Sequence, residues 1–184
     1  EAHDRDLLER AGQRPKTVIH IEQARSIISH NDSPDIGFEQ SINPYRGCEH
    51  GCIYCFARPT HAFHDLSPGL DFETKIIAKR NIAQRLREDL AAPRYVPRLL
   101  NIGSATDAYQ PAERRLRITR SVIEVLAECR HPFSVVTKSS GIERDLDLLA
   151  PLAGLATGIF LAARRPDQLP LALPILALWV ALLQ

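Results

Sequence analysis

The chain has 184 residues, a formal net charge of +1 and 45% hydrophobic residues, enough length and apolar content for one domain or part of one. The near-neutral balance excludes a strong global field of the kind that draws a protein onto nucleic acid or an anionic membrane. Four cysteines, three of them within eight residues, exclude a disulfide framework and favour a reducing compartment, the cytoplasm.

Residues 1–37 read as a polar, irregular N-terminal extension packed on a domain surface. Glu1 to Arg10 is charged and lacks an apolar run, so no signal peptide is expected. Asp4 to Arg10 is a candidate exposed helix, broken by Arg14-Pro15-Lys16. Thr17 to Ile21 is a candidate strand, Glu22 to Ser29 reads more as helix, and Asn31-Asp32-Ser33-Pro34 is turn chemistry.

The core is expected over residues 38–163. Phe38 to Asn43 is predicted as a first strand ending at Pro44, residues 56–70 as a long irregular connection, and Phe72 to Ala78 as a second strand. Asn81 suits a helix cap with Gln84 as capping-box partner; Ile82, Leu86 and Leu90 share the buried face, and Pro93 ends the helix. Arg98 to Ile102 is the third predicted strand and runs into the small polar loop Gly103 to Asp107. Pro111 suits a helix first turn, and Leu116, Thr119, Ile123 and Leu126 make the stripe of one helix reaching about Arg130. Phe133 to Thr137 is the fourth strand, Ser139-Ser140-Gly141 leads into a helix with Ile142, Leu146 and Leu149 inward, and Gly158 to Ala162 is a fifth strand candidate. The recurrence of strand, loop and helix predicts an α/β fold with parallel strands. Its strand-end loops carry polar and metal-type residues, as at the C-terminal edge of an α/β barrel.

Residues 164–184 form an atypical tail. Leu169 to Leu183 is nearly all apolar, with Pro170 and Pro174 inside it. A membrane helix would need about 20 apolar residues. A buried segment is a second reading. A segment foreign to the preceding pattern, as after a frameshift or truncation, is preferred; it predicts an incomplete barrel with an exposed strand edge.

The chemistry concentrates in Asn43-Pro44-Tyr45-Arg46-Gly47-Cys48-Glu49-His50-Gly51-Cys52-Ile53-Tyr54-Cys55. Cys48, Cys52 and Cys55 are spaced C-x3-C-x2-C, and Gly47 and Gly51 allow the loop to wrap around a centre. Clustered thiols point to a metal. Zinc would take a fourth ligand from His50, His61 or His64, whereas an iron–sulfur cube on three thiolates leaves one iron free.

The cysteine spacing, with Tyr54 before the third cysteine, resembles the signature of the radical S-adenosylmethionine (radical SAM) superfamily. Residues 36–155, through Asn43 to His61 and Leu66-Ser67-Pro68-Gly69-Leu70-Asp71-Phe72-Glu73, resemble a bacterial subfamily related to spore photoproduct lyase and described as DNA-repair-photolyase-like. The resemblance implies a partial (βα) barrel, incomplete here at the C-terminus. It implies a [4Fe–4S] cluster on Cys48, Cys52 and Cys55, with S-adenosylmethionine on the free iron. Reductive cleavage of that cosubstrate would give a 5′-deoxyadenosyl radical for hydrogen abstraction from an unknown substrate. The family's adenine contact falls on Tyr54, its methionine-amino or ribose contacts on Ser104 and Thr106, and its methionine-carboxylate contact on Lys138. An electron donor such as flavodoxin or ferredoxin is implied. Nucleic acid as substrate is suggested by kinship alone, without support from charge, and no membrane partner is expected.

Two alternatives stand beside this enzyme: a zinc-stabilised Cys3His binding module, and an inactive truncated remnant. Cys129, near the end of a helical stripe, is expected to be a small buried side chain. Arg46 and Arg58 flank the cysteines, as electrostatic partners or exposed charges. Arg80, Arg85, Arg87, Arg114, Arg115 and Arg117 are expected on solvated helix faces.

Overall fold

Residues 16–152 and 158–161 are described by the computed structural model, and their strands fall into two sheets. The first has three strands. β1 (Val18–Glu22) lies parallel to β5 (Lys75–Lys79), and β4 (Tyr45–Arg46) runs antiparallel on the other side of β5. The second has five in the order β2 (Ile28–His30), β3 (Gln40–Ile42), β6 (Leu100–Ile102), β7 (Phe133–Thr137) and β8 (Gly158–Leu161). β3, β6, β7 and β8 are mutually parallel; β2 is antiparallel to β3. The architecture is therefore mixed α/β with two small mixed sheets, and among the described residues neither sheet closes into a barrel.

Five helices follow in chain order: α1 (Leu70–Thr74), α2 (Ile82–Leu90), α3 (Glu113–Leu116), α4 (Ile118–Glu128) and α5 (Leu146–Leu149), with 3-10 turns at Arg58–His64, Ser140–Asp145 and Ala150–Leu152. One apolar layer joins the sheets to α2 and α4. Ile42, Ile76, Leu100, Ile102, Phe133 and Val135 meet Ile82, Leu86, Val122, Ile123 and Leu126 there. Each such side chain contributes about 1.5–3 kcal/mol on burial. Among the described residues no helix is long and apolar enough to cross a membrane.

Of the expected strands, β7 stands as predicted, β3, β6 and β8 stand with trimmed ends, and β1 is shifted by one residue toward the C-terminus. Where strand pairing or a side-chain bond competes with local pattern, the structure departs from expectation. The second strand begins at Lys75 because Leu70–Thr74 closes a helical turn that buries Phe72. It pairs with β1 and β4, so the series of parallel strands is interrupted at that point. The described part of the 1–37 extension supplies β1 to one sheet and β2 to the other.

Glu22 to Ser29 is not a helix. The Asn81 side chain accepts from Ala24 N at 2.8 Å and donates to Ala24 O at 2.9 Å, satisfying that peptide in an extended segment. The same bonds take Asn81 away from capping α2, and Gln84 turns to Glu88, so the expected capping box is absent. Residues 56–70 are not wholly irregular, since Arg58–His64 forms a 3-10 helix with proline at its start.

The long helix ending near Arg130 is two helices. Arg117 has φ +52° between them, and the Glu113 carboxylate accepts from Thr119 N (2.9 Å) and Arg120 N (3.2 Å), replacing the missing turn. Leu146 is exposed although Ile142 and Leu149 are buried, because Ser140–Asp145 winds as 3-10 and rotates the face. Cys129 is exposed rather than buried; as the C-cap of α4 it falls off the apolar stripe. The Asp4–Arg10 helix and the 164–184 tail lie outside the described residues.

Candidate functional site

The cysteine loop leaves β4, the Gly103–Asp107 loop leaves β6, and Lys138 follows β7. These strand ends bring the three segments together around one cavity of about 190 Å³. Cys48, Cys52, Cys55, Tyr54, Ser104, Thr106 and Lys138 all line it. His50, Phe56 and Asp107 join them.

The loop's path requires its glycines. Gly47 has φ +77°, and a Cβ there would lie 2.8 Å from the Phe72 carbonyl oxygen and from the His61 ring. Gly51 has φ +60°, and a Cβ would lie 2.6 Å from the Glu73 carboxylate. Cys48 N donates to Phe72 O at 2.8 Å, and Cys55 N to Cys52 O at 3.2 Å. Arg58, one of the two arginines flanking the cysteines, serves the loop: its Nε donates to Cys52 O at 3.1 Å and its guanidinium pairs with Glu73. Arg46 is half-exposed, 3.7 Å from Glu22.

Asp107 ties the three segments together. Its carboxylate accepts from Thr137 Oγ1 (2.6 Å), Lys138 N (2.7 Å) and Tyr109 N (2.8 Å), and His50 Nε2 lies 3.3 Å away. Burial pushes its pKa up, but the bonds from His50, Thr137 and Lys138 outweigh this and hold it below the usual carboxylate value. Further bonds pin the loops: Asn43 Nδ2 donates to Ser104 Oγ (3.1 Å), Ala105 N to Asn43 Oδ1 (2.9 Å), and Thr106 Oγ1 to Tyr45 O (3.1 Å). Buried Gln110 brackets Cys48, accepting from Glu49 N at 3.0 Å and donating to Gly47 O at 3.2 Å.

Lys138 is the cation of the pocket. Its ammonium donates to Cys52 Sγ at 3.1 Å and to Tyr54 Oη at 2.7 Å, and these two bonds raise its pKa. Cys48 is buried, and burial pushes its thiol up to about 11. Such a thiol gives up its proton when a cation or metal takes its place. Tyr54 and Phe56 are 77% and 80% exposed at the pocket. An open aromatic plane of this kind suits stacking against a flat ligand.

The donor set of the pocket is three cysteines, the thiolate chemistry by which iron–sulfur centres are held. Among the described residues no three His, Cys, Asp or Glu side chains converge to hold one metal ion. The thiols instead open onto a common cavity, and a polynuclear cube takes its thiolates at separate corners. Of the three histidines considered for zinc, only His50 lines the pocket, and it faces Asp107. His61 donates to Lys75 O at 3.0 Å and packs edge-on to Phe72; His64 stands with Arg46 and Glu22.

No family model matches the chain, and no solved structure matches it. It is 43% identical over 116 residues to uncharacterized proteins of Mycobacterium tuberculosis and Mycobacterium bovis, covering 63% of this chain and 34% of theirs. It is 27% identical over 142 residues to an uncharacterized protein of Methanocaldococcus jannaschii, covering 77% of this chain and 50% of that one. The chain thus spans a third to a half of the length of these relatives.

Sequence reasoning named seven of the pocket residues as site residues, read Asp107 only as part of a turn or helix-cap set, and gave no role to Asn43 or Gln110. A small polar loop after a strand flags Asp107 as worth weighing. Nothing local flags Gln110, whose partners lie 61 and 63 residues away.

Proposed function

We propose that this chain forms the cofactor-binding part of a cytoplasmic radical SAM enzyme with a partial (βα) barrel. The supporting observation is that seven residues chosen by motif, from three separate segments, line one cavity. When bound, a [4Fe–4S] cluster with one free iron supplies one-electron cleavage of S-adenosylmethionine and a radical that abstracts hydrogen. Cys48, Cys52 and Cys55 would hold it. Lys138 offsets the negative charge of a thiolate set and offers an ammonium to a carboxylate. Tyr54 offers a ring face for an adenine, and Ser104 and Thr106, which line the same pocket, would supply hydroxyls to the ribose or the methionine amino group. Asp107 fixes Lys138 through its backbone, so the cation stands in place before any ligand arrives. A redox partner of the flavodoxin or ferredoxin type would supply the electron.

The test is anaerobic reconstitution with iron and sulfide, followed by dithionite and S-adenosylmethionine. Brown colour with 5′-deoxyadenosine release supports the enzyme. Colour without release supports a remnant that keeps its cofactor loop. A colourless protein holding one zinc supports the Cys3His module and overturns the proposal.

A further inference from the structure

On the three-stranded sheet, outside the lining of the cysteine pocket, polar side chains meet without hydrogen bonds, and the nearest pair, Arg46 Nε and Glu22 Oε2, stands 3.7 Å apart. Lys79 ends β5 and stands in register with Glu22, which ends β1. Arg46 on β4 pairs with Ile77, two positions along from Lys79, and so presents on the same face. His64, from the 3-10 turn, is within reach of the charges of all three. Glu22 Oε2, Arg46 Nε and His64 Nε2 are buried without a hydrogen-bond partner. Lys79 is 6% exposed, and among the described residues no acceptor meets its ammonium. Buried polar atoms without a hydrogen bond in this number, with one ion pair held beyond hydrogen-bond reach, leave room for an occupant that bonds to them.

We infer that Glu22, Arg46, His64 and Lys79 bind a singly protonated phosphate group, esterified or free, at the carboxyl ends of β1 and β5. Arg46 Nε and the lysine ammonium only donate, and the Glu22 oxygen only accepts. The occupant therefore offers several acceptors and one hydrogen, and carries negative charge to balance two cations against one carboxylate. Sulfate and phosphodiesters lack the hydrogen. Water lacks the charge. A phosphate monoester near its second ionisation has both. Carboxyl ends of parallel strands are a common place for ligands. Burial pushes the Lys79 ammonium down to about 8, with Arg46 adding to the shift and Glu22 opposing it, and a bound anion would reverse that shift.

Calorimetric titration at about pH 6, close to that second ionisation, uses methyl phosphate, inorganic phosphate, dimethyl phosphate and sulfate on the full chain. Saturable binding of the first two, at least about tenfold tighter than the last two, is expected; tenfold is the scale of one charge-assisted bond. The tighter of the first two identifies an esterified or a free ligand. Lys79→Met should lower methyl phosphate affinity by about tenfold or more while leaving the thermal melt unchanged or raised. Glu22→Gln should shrink the preference for phosphate over sulfate. Should Lys79→Met fail to fold, Arg46→Gln reads the same loss. No saturable binding, equal binding of sulfate, or full binding by the lysine variant would mean ordered water or an adventitious ion only, and overturns the proposal.

Discussion

The Asp107 carboxylate accepts from the backbone N–H of Lys138 at 2.7 Å, and this bond joins the loop after β6 to the end of β7. It fixes the root of the side chain whose ammonium reaches Cys52 Sγ. Asp107→Asn preserves shape but loses the charge and one or two of three hydrogen bonds. The expected result is normal iron content with S-adenosylmethionine cleavage reduced about 10–100-fold, the usual cost of losing a supporting partner. Iron assay and 5′-deoxyadenosine assay on the same sample check it; unchanged cleavage would remove Asp107 from the supporting role.

The four cysteines separate cleanly. Cys52→Ala, Cys48→Ala and Cys55→Ala should each abolish the reconstituted visible absorbance, whereas Cys129→Ala, altering an exposed side chain at the end of α4, should leave it intact. Retained absorbance and cleavage in Cys52→Ala would show that the ligand set is misassigned.

Gly47→Ala should destabilise the fold more than Gly51→Ala. Both positions adopt the left-handed region, at about 1–2 kcal/mol for a residue with a Cβ. At Gly47 the new methyl also meets a backbone carbonyl, which cannot swing aside, while at Gly51 it meets the end of the Glu73 side chain. Urea denaturation of the two variants tests the order.

Acid should weaken the protein through two carboxylates. Burial pushes Asp145 up, but Arg144, Arg120 and Tyr109 outweigh it, so Asp145 sits below its ordinary value in the fold, as Asp107 does. A group depressed in the folded state stabilises above its unfolded pKa, near 3.9, and that stability is lost as pH falls through the folded value. The midpoint of urea unfolding should therefore drop as pH goes below about 4, and Asp145→Asn should flatten that drop. A slope as steep in the variant as in the parent would contradict this assignment.

Lys79 gives the opposite limb. Its folded value of about 8 lies below the unfolded 10.5. The unfolded chain binds the extra proton between those values, so stability should rise from pH 8 toward 10.5 relative to Lys79→Met. Melting curves in the absence of phosphate measure the difference.

What the sequence carried about this molecule was local. Phe133 to Thr137 stands residue for residue as β7, and Ile82 and Leu86 are fully buried on α2, because alternation and helical spacing suffice there. The cysteine spacing named one wall of the pocket. Features set by distant partners were not legible. Asn81 looks like a cap until Ala24, 57 residues away, takes its side chain. The break at Arg117 depends on a carboxylate reaching forward from Glu113. The pairing of Val18–Glu22 with Lys75–Lys79 follows no short-range signal and moves a nominal appendage into the sheet.

Between Ile42 and Tyr45 the chain changes sheets. The strand before that step belongs to the five-stranded sheet and the strand after it to the three-stranded one. The thiols thus hang from one slab of the molecule, while Ser104 and Lys138 hang from the other. Whatever the cavity grips acts as a rivet through both slabs. Loosening Val18–Glu22, which contributes no residue to the cavity wall, would register as poor retention of the occupant before it registered as unfolding.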